Sequence, residues 1–277
     1  MIQDIYPHHL DNQFRNKEIE DEDYVVLFHG LNVCMSKNWK LPTYKEVKQF
    51  GFELQYACAT DGQAYYVTRK EVDPIKLDGY TYVAKQAFRQ SLTPEDRAFW
   101  LTILTCWHIY KWYSMHQFCG HCGKELVHAE KERMMYCPEC KSMFFPTIAP
   151  CVIVGLVNKD KILMSKYAGR AYGGFALLAG FIEVGETPEQ AVAREVMEEV
   201  GLKVKNIRYY KSQPWGTDCN MLLGFYCDLD GDDAIHIDQN ELSMAGWYGR
   251  DDINIQDIGI TLTYEMMTYF KEHPEEF

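Results

Sequence analysis

Short apolar runs alternate with polar, turn-rich stretches along the whole chain, and their periods mark the elements. Tyr24-Val25-Val26-Leu27-Phe28 and Ala64-Tyr65-Tyr66-Val67 predict strands. Thr93-Pro94-Glu95-Asp96 supplies a cap, a proline for the first turn and acids for a helix N-terminus. The helix it opens runs through Trp100, Leu101, Ile103, Leu104, Trp107 and Tyr110, aromatics suited to core packing. Pro150–Val157 and Lys161–Met164 predict a hairpin around Asn158-Lys159-Asp160. A Gly-rich strand region at 173–182 leads into a helix, strands follow near 207–211 and 220–229, and an amphipathic helix starts around Thr261. The expected organisation is an α/β chain in three parts: an N-terminal α+β domain over 1–112, a short cysteine-bearing region over 113–147, and a C-terminal α/β domain over 148–277.

Composition adds two constraints. With 28 basic and 40 acidic residues the net charge is −12, which disfavours non-specific binding to nucleic acid. A phosphorylated substrate still fits such a chain where divalent cations bridge the two anions. No uncharged apolar run is long enough to span a bilayer, and the N-terminus MIQDIYPHHL lacks the apolar core of a signal peptide. Ten cysteines are present; six (Cys34, Cys58, Cys106, Cys151, Cys219, Cys227) are scattered among apolar or strand-like residues, the pattern of small buried hydrophobes in a reducing, cytoplasmic setting.

The other four form Cys119-Gly-His-Cys122 and Cys137-Pro-Glu-Cys140, two knuckles separated by 14 residues. Four thiolates satisfy tetrahedral zinc, and each tight turn delivers two of them to one side of the ion. Gly120, Gly123 and Pro138 suit such turns. A redox dithiol or unpaired core cysteines are the competing readings, but a redox centre needs only one such pair. Four thiolates leave no position open for water, so the expected zinc is structural. His121 is expected to be exposed.

The stretch from Gly180 to Leu202 carries the candidate catalysis. Thr187-Pro188-Glu189-Gln190 is a capping box with proline at the first helical position, and Gly201 is a C-terminal stop. Ala191, Val192, Val196 and Val200 recur at helical spacing and predict a core face. Glu195, Glu198 and Glu199 then share another face, where like charges repel. They also stand near the C-terminal end, where the helix dipole disfavours anions. A solvated acidic face is the plain alternative; divalent cations explain an arrangement unfavourable on both counts. Oxygen ligands in this number suit Mg²⁺ or Mn²⁺.

This stretch resembles the Nudix box, Gly-x5-Glu-x7-Arg-Glu-U-x-Glu-Glu-x-Gly-U with U apolar, at every specified position. The resemblance implies an α/β/α sandwich in which the box forms a loop–helix–loop motif. It further implies a hydrolase of nucleoside diphosphates linked to another moiety. By it, Glu195, Glu198 and Glu199 ligate metal, while Glu186 and Arg194 hold loop and helix together. A carboxylate not engaged by metal then takes the proton of the attacking water; Glu198 is the first choice and Glu241 its rival.

The order of N-terminal domain, four-cysteine zinc ribbon and Nudix domain is similar to the NADH pyrophosphatase branch, closely from about Phe118 to Trp247 and weakly before residue 90. Ile148-Ala-Pro-Cys-Val-Ile-Val, Leu178-Ala-Gly-Phe-Ile-Glu and Ser212-Gln-Pro-Trp215 carry the likeness. It implies cleavage of NAD(H) to AMP and nicotinamide mononucleotide, possible action on NAD-capped RNA 5′ ends, and a homodimer. It places Phe181, suited to ring stacking, and Phe145 at the nicotinamide side, and Glu241 as an additional acid of the metal site. Two departures fall where substrate identity is read. Gly216-Thr217-Asp218-Cys219-Asn220 replaces a family segment with two prolines and a phenylalanine, predicting a more flexible, more polar loop in which Asn220 can still hydrogen-bond. Thr263 stands where the family has a small alanine. ADP-ribose, a dinucleoside polyphosphate or FAD are therefore alternative substrates, and a non-catalytic nucleotide- or RNA-binding protein is the alternative of another class. Retention of every carboxylate argues against the last.

Overall fold

A computed structural model describes residues 1–85, 87, 93–169, 173–255 and 259–277. They fall into two compact units, one of residues 3–147 with 216–219, the other of residues 1–2, 148–215 and 220–277.

The first unit contains β1 (Leu10–Asp11), β2 (Tyr24–Val26), β3 (Phe28–His29), β4 (Asn32–Ser36), β5 (Leu54–Thr60), β6 (Gln63–Thr68) and β7 (Tyr80–Ala84). They form a four-stranded sheet in the order β1-β5-β6-β2 and a three-stranded sheet in the order β3-β4-β7. The single strand expected over Tyr24–Phe28 is two strands in two sheets, separated at Leu27. Val25, Val26, Leu27 and Phe28 are all fully buried, so the run has no polar alternation to betray the break.

After a 3-10 turn at Pro94–Asp96, helix α1 spans Arg97–Met115. Asp96 Oδ2 accepts from both the backbone N–H and the hydroxyl of Thr93 at 2.9 Å, which closes the turn before the helix; α1 itself starts one turn later than the proline suggests, and Asp96, its N-cap, makes no side-chain cap bond. The aromatics of α1 are core: Phe28 packs edge-on against Trp107 with centroids 5.1 Å apart, and Thr102 and Thr60 share a buried 2.6 Å hydrogen bond. β8 (Val127–His128), β9 (Met135–Tyr136) and β10 (Met143–Phe144) form a small antiparallel sheet in the order β10-β9-β8.

Residues 216–219 are held by this same unit. A Cβ on Gly216 would lie 2.6 Å from the Leu104 carbonyl oxygen, and Trp107 Nε1 donates to Thr217 O at 3.2 Å. The segment is thus anchored, and Gly216 serves close approach to α1, not the looseness its composition predicts. Cys219 is half-buried with φ +61°, unlike the other five scattered cysteines, which are buried.

The second unit has β11 (Ala149–Asn158), β12 (Lys161–Tyr167), β13 (Leu178–Phe181), β14 (Val204–Trp215), β15 (Asn220–Leu229) and β16 (Leu242–Gly249), with helices α2 (Pro188–Val200) and α3 (Leu262–Glu272). The sheet order is β14-β15-β11-β12-β16, with β13 pairing β11 and with β11 and β15 parallel. The hairpin at 158–160 and the capped helices at Thr187 and Thr261 form as expected, whereas the 173–182 region contributes the short strand Leu178–Phe181 and an isolated antiparallel bridge from Ala176 to Ser165; residues 170–172 lie outside the described residues.

The period of β11 divides the core. Val152, Val154 and Leu156 join Ala191, Val192, Val196 and Val200 of α2 on one face. Cys151, Ile153 and Val157 join Leu262, Met266, Met267 and Phe270 of α3 on the other. Successive side chains of a strand point to opposite faces, so one apolar run builds both layers of an α/β/α sandwich. Gly155 is required by packing, since a Cβ there would lie 2.5 Å from the Tyr226 ring.

One buried group in the first unit works against stability. Lys85 Nζ lies 3.1 Å from the centroid of the Trp107 ring and has no hydrogen-bond partner among the described residues. Burial pushes its ammonium down to about 7, with Asp218 opposing. Between that value and the ordinary lysine range the unfolded chain holds one proton more than the folded one, so stability rises with pH across the window. Lys85→Met is expected to stabilise the chain by about 1–3 kcal/mol near pH 7. In thermal denaturation the gap from wild type narrows toward pH 10; a gap that is absent, or constant with pH, contradicts this account.

Candidate active site

Helix α2 starts where its sequence directs. Thr187 Oγ1 accepts from Gln190 N at 3.3 Å and Gln190 Oε1 accepts from Thr187 N at 2.8 Å, closing the capping box. At the other end Gly201 adopts φ +70°, a left-handed conformation that glycine takes without penalty. The last carbonyls, which lack intrahelical donors, accept from a following segment: His236 N bonds Val200 O and Asp238 N bonds Glu199 O, each at 2.9 Å. This draws residues 236–241, and Glu241 with them, alongside the acidic end of α2.

The four apolar positions of α2 face the sheet, and the three acids divide by burial. Glu199 is 2% exposed and Glu195 8%, whereas the Glu198 side chain is 60% exposed. The Glu195 carboxyl occupies a notch made by the absence of a side chain at Gly180: a Cβ built there would lie 1.9 Å from its Cδ and Oε1. Burial raises the Glu195 pKa, Arg194 opposes the rise, and the charges of Glu198 and Glu241 add to it. A buried carboxylate crowded by two others calls for a cation.

Arg194 supplies part of that need. Its guanidinium forms a bidentate pair with Glu186 at 2.8 and 2.9 Å, reaches Glu195 Oε1 at 2.7 Å and Glu198 Oε2 at 3.0 Å, and donates to Phe181 O at 2.8 Å. Glu186 also accepts from the Glu183 N–H at 3.0 Å, and Arg194 holds its pKa below the usual carboxylate range. One side chain thereby ties the loop at 183–186, the end of β13 and the acidic face of α2. The oxygens of Glu195, Glu198, Glu199 and Glu241 suit a hard divalent cation. Among the described residues, only the four thiols already gather three or more ligand atoms within 4.8 Å of one another.

Around these groups, Phe181 is 54% exposed at the end of β13 and Asn220, at the start of β15, is buried opposite Trp215. Thr263 stands half-buried in the first turn of α3. Phe145, also exposed, belongs to the other unit. Two supporting residues escaped the sequence reading. Gly180 was legible only as a box position, its contact with Glu195 being tertiary. Gln213, taken up below, makes its hydrogen bonds across about fifty residues of chain.

The cysteine quartet fits zinc. Cys119–Cys140, Cys122–Cys137 and Cys122–Cys140 Sγ atoms are 3.5, 3.4 and 3.7 Å apart, and all ten cysteines are free of disulfides. Zn–S bonds of about 2.3 Å in a tetrahedron require S···S edges of about 3.8 Å. The two knuckles repeat one construction. Cys119 N bonds Lys124 O and Cys137 N bonds Ser142 O, while Gly123 and Lys141, each directly after the second cysteine of its pair, take φ +71° and +64°. The Ser142 hydroxyl and N–H push Cys140 down to about 6, favouring the thiolate a metal needs. His121 is exposed and stands outside the quartet.

Comparison with known proteins agrees with this geometry. The family model described as NUDIX domain matches residues 147–267, and that described as NADH pyrophosphatase zinc ribbon domain matches residues 114–145. The chain is 46% identical over 143 residues to "NAD-capped RNA hydrolase NudC" of Escherichia coli O9:H4 (strain HS), a match covering 52% of this chain and 55% of that protein. The figures are the same for the protein of that name in Escherichia fergusonii. The chain thus spans about half the length of the curated relatives it matches. A crystal structure of a NUDIX hydrolase from Nitrosomonas europaea matches with a TM-score of 0.50 at 26% identity, over 57% of this chain and 93% of that one.

Two outcomes test the site. Gly180→Ala must displace the Glu195 carboxyl and is expected to weaken divalent-cation binding by about 10–100-fold while circular dichroism stays native; unchanged binding would remove the notch from the account. Elemental analysis is expected to find about one zinc per chain, and strong chelators to lower Tm; a chain equally stable without zinc would refute a structural role.

Proposed function

We propose that this chain is a Nudix hydrolase with a zinc ribbon of the NADH pyrophosphatase kind, and that it hydrolyses the pyrophosphate bond of NAD(H) to AMP and nicotinamide mononucleotide. The observation that carries the reading is the pair of buried carboxylates, Glu195 and Glu199, on a helix face locked by Arg194. Burying two acids on a surface without other use costs free energy, and a divalent cation, Mg²⁺ or Mn²⁺, relieves it. Glu195, Glu198, Glu199 and Glu241 are the residues that would hold it. When bound there, such a cation neutralises the pyrophosphate and activates water.

The chain's own groups supply the rest. Glu195 and Glu199 are fixed by packing, so they keep their positions through turnover. Glu198, exposed and bonded to Arg194 alone among the described residues, has the freedom to take the proton of the attacking water as general base. Arg194 and Glu186 hold the loop and helix at one spacing, which is worth rate because small misplacements of reacting groups are costly. Phe181 offers an exposed ring for stacking the nicotinamide; Asn220 and Thr263 are assigned polar contacts to the substrate.

The name borne by the bacterial relatives extends the proposal to NAD-capped RNA, whose 5′ end presents the same pyrophosphate. The net charge of −12 supports recognition of the cap over the RNA body. The three-part domain division at 112/113 and 147/148, a cytoplasmic location and a homodimer belong to the same reading. The free cysteines support a reducing compartment, and light scattering in solution tests the dimer.

Glu198→Gln is expected to lower kcat for NADH by about 10²–10⁴-fold with the fold intact. Unchanged turnover in that variant, with loss in Glu241→Gln, would transfer the role of base to Glu241. A panel of NADH, NAD, ADP-ribose, dinucleoside polyphosphates, FAD and NAD-capped RNA decides the substrate, and preference for a compound without nicotinamide would overturn the proposal.

A further inference from the structure

The intact Ser212-Gln213-Pro214-Trp215 stretch is given no task by the reaction above. It ends β14, an edge strand of the sheet that pairs with β15 alone among the described strands. Pro214 lacks an N–H, and an edge strand tolerates that. Gln213, opposite Leu222, is 0% exposed. A primary amide at such depth is costly unless both its ends are bonded.

Both are. Gln213 Nε2 donates to Ile260 O at 2.7 Å, and Gln213 Oε1 accepts from Leu262 N at 2.8 Å. The amide acts on residues 260–262 as a peptide group of a neighbouring strand would, bonding a carbonyl and an N–H two residues apart. Leu262 opens α3, so its N–H is among those without an intrahelical acceptor. Thr261 Oγ1 caps the next turn by accepting from Tyr264 N at 3.3 Å. The start of α3 is therefore fixed twice, once from its own sequence and once from β14.

We propose that Gln213 is a positioning residue for substrate binding: it sets the first turn of α3, with Thr263, against the β14–β15 hairpin that carries Asn220. The proposal rests on the reading that Asn220 and Thr263 meet the substrate. The Gln213 amide bonds the backbone at Ile260 and Leu262, so its loss is expected to change the distance between the two contact points and to leave the carboxylates of α2 in place. Leucine at 213 removes both bonds. Ionised glutamate keeps the acceptor only, whereas protonated glutamate, with one O–H donor and one carbonyl acceptor, restores both.

The experiment compares wild type, Gln213→Leu and Gln213→Glu by steady-state kinetics with NADH and by hydrogen exchange at the Leu262 amide. In Gln213→Leu, KM is expected to rise about fivefold or more with kcat within about twofold, and Leu262 exchange to quicken by about tenfold or more. In Gln213→Glu both effects are expected at pH 8 and to shrink, relative to wild type at the same pH, as acidification protonates the carboxyl. If Gln213→Leu fails to fold, the pH-dependent recovery of Gln213→Glu carries the test. Faster Leu262 exchange with an unchanged KM would reduce Gln213 to a structural residue, and unchanged exchange would remove the clamp altogether. Absence of NADH turnover in wild type would overturn the function proposed above and leave the clamp to be judged on Leu262 exchange in Gln213→Glu.

Discussion

The Arg194 guanidinium, ringed by Glu186, Glu195, Glu198 and the Phe181 carbonyl, is the contact on which the candidate site depends. Its planar fork meets Glu186 with two parallel bonds and still has donors for the helix acids and for β13, geometry that a lysine ammonium does not offer. The Glu186 interaction is the largest influence on Arg194 and raises its already high pKa further. Arg194 therefore stays charged at any working pH. A permanent cation at this point keeps mutually repelling carboxylates on one helix face and draws the preceding loop against them.

That arrangement would be loose without the sandwich beneath it. α2 is seated by Ala191, Val192, Val196 and Val200 on the face of β11 that also presents Val152, Val154 and Leu156. Gly180, on the neighbouring β13, leaves the space into which Glu195 turns. The opposite face of β11 seats α3, whose first turn is tied back to β14 through Gln213. Strand β11 thus sets the positions of both helices, one with the candidate metal carboxylates and the other with Thr263.

Much of this was legible beforehand, and the reason is local. The capping box at Thr187, the stop at Gly201 and the spacing of the cysteine knuckles depend on residues a few positions apart, where backbone geometry dictates which side chains meet. The same holds for the hairpin at 158–160, whose Lys159 takes φ +57°. Reading failed where the deciding partner is distant or where burial is two-sided. Tyr24–Phe28 passes from one sheet to another inside a uniformly apolar run. Gly216 is present because Leu104 O lies against it, more than one hundred residues away, so composition alone suggested a loose loop where the chain is anchored.

Periodicity and short-range stereochemistry suffice for most of the elements, for the caps at Thr187 and Thr261, for the quartet of thiols and for the acids that are candidates to bind a cation. Only the tertiary structure decided which carboxylates are buried and which is exposed, that Gly180 houses Glu195, and that Gln213 anchors the start of α3. Those outcomes depend on which surfaces meet once the sheet is assembled. The energy of a buried charge or amide is set by the neighbours that replace water, and these neighbours come from remote parts of the chain.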